Sequence, residues 1–238
     1  MLHHALKDVG RLGLVPRNVC DLVDPPRVAK HEIQIWTPQQ VDTFMRAAAS
    51  HRLAAVFVLA VTTGMREGEL LALKWADIDL TSGAIQVRRN RAKMLHGRAD
   101  KDPKTTSGRR RVRLTPTAVT ALHQHRTRQL EERLAAGDAW QDLGYVFTTS
   151  VGTALDPSNL LKQYRALIRG ARLPLIVFHD LRHSAASWLI AHGVAVNTVS
   201  QMLGHADPAI TMRIYAHTMP DAQEHAVTVM ERLLSSAK

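Results

Sequence analysis

Apolar positions recur with a helical period over most of this chain and switch to strict alternation in only a few short places. Over 3–15 a short amphipathic piece runs up to Pro16, and a Pro25-Pro26 break followed by Arg27 and Lys30 reads as a linker. From Trp36 onward, Thr37-Pro38-Gln39-Gln40 supplies an N-cap, a proline at the first helical position and a capping-box glutamine, so a helix is expected to about Ser50. Positions 52–63 are nearly all apolar, as in a helix buried on every side, and Gly64 interrupts them. Helical periodicity resumes at 65–75.

Alternation then takes over. Ala84-Ile85-Gln86-Val87 and Arg111-Val112-Arg113-Leu114 each read as a strand, joined by a long loop, and Thr115-Pro116 opens a helix at 117–134. A short strand is expected at 145–147 and a helix at 157–172, followed by a Leu173-Pro174 break. Three further helices are expected: 181–192 ended by Gly193, 196–203 ended by Gly204, and 208 to about 217 capped by Asp207. A last amphipathic helix at 222–234 places Val227, Met230, Leu233 and Leu234 on one side. The predicted class is mainly α with a small antiparallel β-sheet (α+β), without internal repeats or low-complexity tracts.

Charge changes this picture in one place. The chain of 238 residues carries a formal +10 from 31 basic and 21 acidic residues. Between positions 88 and 113 lie eleven lysines or arginines against two aspartates, a local +9, so the remainder is nearly neutral. Basicity concentrated on one predicted hairpin points to a polyanionic partner. Cys20 is the only cysteine, which excludes disulfides within the chain and cysteine-based zinc sites and fits a reducing cytoplasm. Leu53 to Val61, the longest apolar run, is too short to span a bilayer, and the first residues lack the apolar core of a signal peptide, so a soluble cytoplasmic protein without a membrane partner is expected. The thirteen histidines show no His-Glu-x-x-His arrangement, so no metal site is expected.

The candidate chemistry gathers late in the chain. His179 and Arg182, three apart at the start of a predicted helix, share one face where free N–H groups and the dipole favour an anion. A guanidinium offers two phosphate oxygens a planar fork, an imidazole can donate to a third or move a proton, and a tyrosine hydroxyl can act as nucleophile. Arg66 and Glu69, three apart beside Gly64 and Gly68, fit either a surface ion pair or a buried arginine oriented by a carboxylate, and the apolar helix before them favours the second. The pair of helices around Gly193 could be taken for a helix-turn-helix, but Val194, Val196, Val199 and Met202 suit core packing better than base reading.

Read together, Thr-Gly-Met-Arg-Glu-Gly-Glu-Leu at 63–70, His-Asp-Leu-Arg-His at 179–183, Leu-Gly-His at 203–205 and Tyr215 resemble the tyrosine recombinases, the phage-type integrases, from Trp36 to Leu234. The resemblance implies the catalytic-domain fold of that family, with catalytic Arg66, Lys104, His179, Arg182, His205 and the nucleophile Tyr215, and with Glu69 in support. Lys104 matches the family's hairpin lysine in Pro-Lys-Thr-Thr-Ser-Gly, with Lys101 and Lys93 as neighbouring alternatives. It further implies a site-specific recombinase of integrase or excisionase type that breaks and rejoins DNA through a 3′-phosphotyrosine, with no cofactor, metal or ATP. The implied partners are double-stranded DNA attachment sites and other copies of the chain, as a tetramer on DNA. Arg88, Arg89, Arg109, Arg110, Arg111 and Arg113 are the expected contacts to the duplex backbone, although strand alternation lets only some of them face it. Family members carry a preceding helical core-binding domain; residues 1–30 are read as its remnant helix and linker, and 31–238 as the catalytic domain. The C-terminal helix is expected to dock either on its own domain or on a neighbouring protomer. Topoisomerase-like nicking without exchange, and DNA binding without catalysis, are the alternative activities.

Overall fold

A computed structural model of the protein describes residues 2–24, 33–93, 98–101 and 108–215, and near the C-terminus 227–228, 230–231 and 234–235. The chain divides into two compact units, Met1–Glu32 and Ile33–Lys238. The first holds α1 (Leu2–Arg11) and a 3-10 turn (Val19–Leu22), neither with a buried residue. Polar contacts fold the turn back on the helix: the Asn18 amide donates to His3 O at 3.0 Å, and the His3 ring lies 2.7 Å from Asp21. No helix among the described residues is long and apolar enough to cross a membrane.

The second unit begins with α2 (Pro38–Ala48), whose capping box forms as its sequence dictates: Thr37 Oγ1 accepts from the Gln40 N–H, and Gln40 Oε1 accepts from the Thr37 N–H. Next comes α3 (Ala54–Thr63), which buries nearly all of its length and ends at Gly64 in the left-handed conformation, φ 60°. Packed around it are α5 (Pro116–Ala136), α6 (Pro157–Gly170) and α7 (Asp180–Ala191). Trp36, Phe44, Phe57, Tyr164 and Phe178 fill the centre, with neighbouring ring centroids 5.2 to 6.5 Å apart. A smaller cluster of Ala186, Ile190, Val199 and Leu203 joins α7 to α8 (Val196–Leu203), with Val194 packed against it, so this helix pair meets through core residues. α9 (Pro208–Tyr215) follows, with its first turn capped by Asp207.

The predicted helix at 65–75 shrinks to α4 (Glu67–Leu71). Its continuation is pulled into extended pairing: Leu73 O accepts from the Val146 N–H at 2.9 Å, and Lys74 bridges Tyr145 antiparallel. The expected strand at 145–147 is correspondingly only that bridge, and Trp75–Asp77 form a 3-10 turn. Partners more than seventy residues away in sequence have overridden a local helical period, as long-range backbone pairing can.

The sheet is β1 (Ile78–Asp79), β2 (Ala84–Val87) and β5 (Arg110–Arg113) in antiparallel order, with Ile85 opposite Val112 and Val87 opposite Arg110. The expected long loop contains a further two-stranded sheet, β3 (Asn90–Lys93) with β4 (Arg98–Lys101). This hairpin sits hard against α4, because a Cβ on Gly68 would lie 2.7 Å from Arg91 O, a separation only glycine allows. Near the C-terminus the described residues of the predicted last helix are helical, with Val227, Met230 and Leu234 exposed, while Leu233 lies outside the described residues.

Candidate active site

Two turns set the arginines. Gly64 turns the chain out of α3, and Arg66 follows at the N-cap of α4. An Ala at position 64 would meet Leu203 Cδ2 at 2.6 Å, so the turn packs directly on the end of α8. On α7, Arg182 is buried and its Nη1 donates to Gly64 O at 2.7 Å, which ties the start of α7 to the same turn. The Arg66 side chain is 37% exposed and its Nη2 lies 3.4 Å from Gly204 O. Both guanidiniums are thus held against backbone carbonyls of one small region.

His179 caps the start of α7 and is exposed on one side, and the His183 ring packs edge-on against it at 4.9 Å. His205 follows Gly204 at the end of α8, and its Nδ1 lies 2.7 Å from the buried Thr211 hydroxyl on α9. Burial pushes the His205 ring down to about 4, and Arg182, Arg66, His183 and Arg110 add to the shift in that order. Burial, His183, Arg182 and Arg66 push His179 the same way. Both imidazoles are therefore neutral at physiological pH, held so first by burial and then by neighbouring cations. The bonds of Arg182 to Gly64 O and of Arg66 to Gly204 O bring these two arginines beside His205, and His179 stands at the start of the helix that carries Arg182.

Glu69 anchors the arrangement. Burial alone raises its carboxyl, but Arg110 first and Arg66 second outweigh this and hold it below the ordinary carboxylate range. Arg110 is one of the arginines expected along the duplex, and for this residue the expectation is corrected. On β5 its burial alternates with that of exposed Arg111 and Arg113, so Arg110 faces inward with Val112. It grips Glu69 with two guanidinium nitrogens at 3.0 and 2.9 Å.

The other basic side chains remain outside that cluster. Arg111 donates to Ser82 Oγ and Arg113 to Ser82 O at the exposed edge of the sheet. Arg89 pairs with buried Asp77 at 2.6 Å, Arg88 is 4.0 Å from the same carboxylate, and Arg109 is exposed. Lys101 is exposed, whereas Lys104 and the side chain of Lys93 lie outside the described residues. α9 brings the backbone of Tyr215 to its last position; the side chain lies outside the described residues. Beside the arginines and His205, a cavity of about 510 Å³ opens between Arg109, Arg110, Asn197, Gln201 and Pro208. Sequence reasoning named His183 but set it aside, although it stands one helical turn beyond His179 and packs on its ring, and it missed the inward turn of Arg110, which its period-2 relation to Val112 could have shown.

The profile of the phage integrase family matches residues 34–221. The chain belongs to this family of tyrosine recombinases. It is 36% identical over 221 residues to a XerC-like tyrosine recombinase of Caldanaerobacter subterraneus subsp. tengcongensis, covering 88% of this chain and 56% of that protein. It is 31% identical to an integrase of Streptomyces ambofaciens, covering 97% of this chain and 61% of the relative. The chain thus spans a little over half the length of the curated relatives it matches. Among solved structures, the XerA recombinase superposes with a TM-score of 0.62 at 27% identity, over 87% of this chain and 66% of that one. The Tn1549 transposon integrase in complex with circular intermediate DNA shares the fold, with a TM-score of 0.71 at 20% identity over 97% of this chain and 76% of that one. The family's fold, mainly helical with small antiparallel sheets, is the one the sequence predicts.

Proposed function

We propose that this chain breaks and rejoins double-stranded DNA at specific sites through a 3′-phosphotyrosine, without metal or ATP. The observation that carries this reading is the shared site of Arg66, Arg182, His179 and His205, two guanidiniums and two neutral imidazoles at the entry to α7 and the exit of α8. Relatives named as integrases and as a tyrosine recombinase support it.

In the proposed step Tyr215 Oη attacks the scissile phosphorus. The P–O5′ bond breaks as the Oη–P bond forms, and the ester retains the energy needed for rejoining. Arg66 and Arg182 hold the non-bridging oxygens and offset the charge of the five-coordinate transition state. Neutral His179 can accept the tyrosine proton, and Lys104 supplies the proton that leaves on the 5′-oxygen. His205 Nδ1 lies 2.7 Å from the Thr211 hydroxyl, and with that hydroxyl as donor the ring proton sits on Nε2, free to donate to a phosphate oxygen. Arg88, Arg89, Arg109, Arg111 and Arg113 neutralise flanking phosphates. Exchange between two duplexes breaks four strands, so four copies of the chain act together on DNA.

Covalent trapping tests this. With nicked duplexes taken from the DNA that flanks the gene, the protein forms a protease-sensitive adduct that disappears in Tyr215→Phe. No Tyr215-dependent adduct at any protein concentration overturns the reading.

A further inference from the structure

We infer that Arg110 is a positioning residue for the cleavage proposed above, holding Arg66 through Glu69 and holding the end of α8 through its own Nε. The inference rests on that reading of the site. Arg110 is buried on the inner face of β5 and joins three elements. Nη1 and Nη2 donate to Glu69 Oε1 and Oε2 at 3.0 and 2.9 Å, and Nε donates to Met202 O at 2.6 Å, three residues before His205.

The geometry at Glu69 explains why a second arginine is needed. Its Oε1 also accepts from Arg66 Nη1 and its Oε2 from the Arg66 backbone N–H, both at 2.9 Å. A carboxylate has about four acceptor positions, and all are taken. A carboxylate facing one arginine favours the two-point fork. Here Arg110 takes the fork, so Arg66 keeps a single side-chain bond to Glu69 and its other N–H groups point elsewhere. Without Arg110, Glu69 and Arg66 can close into their own fork, and the guanidinium turns away from the phosphate. The same loss frees Met202 O and loosens the turn that carries His205.

A buried carboxylate with two guanidiniums is poor value for stability alone, since well-packed apolar residues often do as well. Its position between the first arginine, the last histidine and the strand that follows Lys104 fits a role in alignment. A phosphate-contacting arginine would behave differently, because it would change affinity and salt dependence.

The test compares wild type, Arg110→Met, Arg110→Lys, Glu69→Gln and the Arg110→Met/Glu69→Gln pair. Single-turnover trapping is measured on the same nicked flanking DNA, and affinity on a short duplex of unrelated sequence over a range of salt. Misplacing a catalytic group by about 1 Å costs about 10²-fold, and that is the loss expected for Arg110→Met. Arg110→Lys, which keeps the charge without the fork, recovers only part of it; it also stands in if the Met variant does not fold. Affinity and salt slope stay at wild-type values, and the paired variant loses less than the two single losses added together, because the fork to Glu69 is already lost in Glu69→Gln while the Met202 contact remains to be lost. The inference is overturned by wild-type trapping in Arg110→Met, by full recovery in Arg110→Lys, by losses that add to those of Glu69→Gln, or by a salt slope reduced by about one. If wild type itself gives no Tyr215-dependent adduct, the cleavage reading falls and takes this inference with it; if wild type traps and the Arg110 variants match it, only the inference falls.

Discussion

Arg110 and Arg111 are adjacent, carry the same charge and belong to the same strand, yet one is buried in a lattice of fixed hydrogen bonds and the other reaches solvent beside Ser82. The alternation of a strand separates them. On the inner side the cations are already paired, to Glu69 and to the carbonyls of Gly64, Met202 and Gly204, so their directions are set by the fold. On the outer side Arg111 and Arg113 donate to half-buried Ser82, and Arg111 also lies in the field of Asp79. A charge fixed in a partly dry site can stabilise a transition state, because it need not reorganise when the reaction occurs. A charge in water mainly attracts phosphate and is screened by salt. A segment that looks uniformly basic in sequence is therefore two devices.

The inner and outer arginines would prove alike if one of the inner set behaved like the outer. Replacing Arg182 with Ala removes a guanidinium held on Gly64 O, and losing one such transition-state contact costs about 10²–10³ in rate. Single-turnover trapping with saturating DNA is expected to fall by that amount, while duplex affinity changes far less. An affinity loss as large as the rate loss would place Arg182 among the simple phosphate contacts.

Much of this arrangement was legible in the sequence, and the exceptions share a cause. Helix 196–203 was readable to the residue because Gly204 marks its end, and the capping box at Thr37 specified the start of α2. The motifs around Arg66, Arg182 and His205 named residues that the fold brings close to one another. What could not be read was decided by distant chain. Pairing of 73–74 with 145–146 cut α4 short, and only the folded molecule shows Glu69, Met202 and Arg110 meeting. Arg110 was within reach of its alternation with Val112, but a strand drawn from Arg111 left it outside the pattern.

Proton uptake separates the two sides more gently. Burial and neighbouring cations hold His205 at about 4, against 6.5 for an unfolded histidine, and displace His179 in the same direction. Between those two values the unfolded chain binds more protons than the folded one, so stability rises with pH in this window. The contribution is complete above about pH 6.5 and is lost progressively as pH falls toward 4. Water around the exposed edge of His179 lessens its share. Proton resonances of the His205 ring, followed in the free protein, are expected to titrate near pH 4. An inflection near 6.5 would mean that neither burial nor the neighbouring cations act on the ring.

The smallest effect belongs to the outer face. Arg111→Gln and Arg113→Gln remove exposed side chains that donate to Ser82, and surface changes of this kind stay within about 0.5 kcal/mol of wild-type stability. Each is expected to weaken binding to any duplex alike and to lower the slope of log affinity against log salt by about one, the signature of one released phosphate contact. Binding measured from low to physiological salt distinguishes the cases. A slope unchanged by both substitutions would show that this face of β5 does not meet DNA. A loss restricted to one DNA sequence would show that it reads bases, and the proposed division between an inner face that aligns chemistry and an outer face that gathers phosphate would have to be redrawn at these two positions.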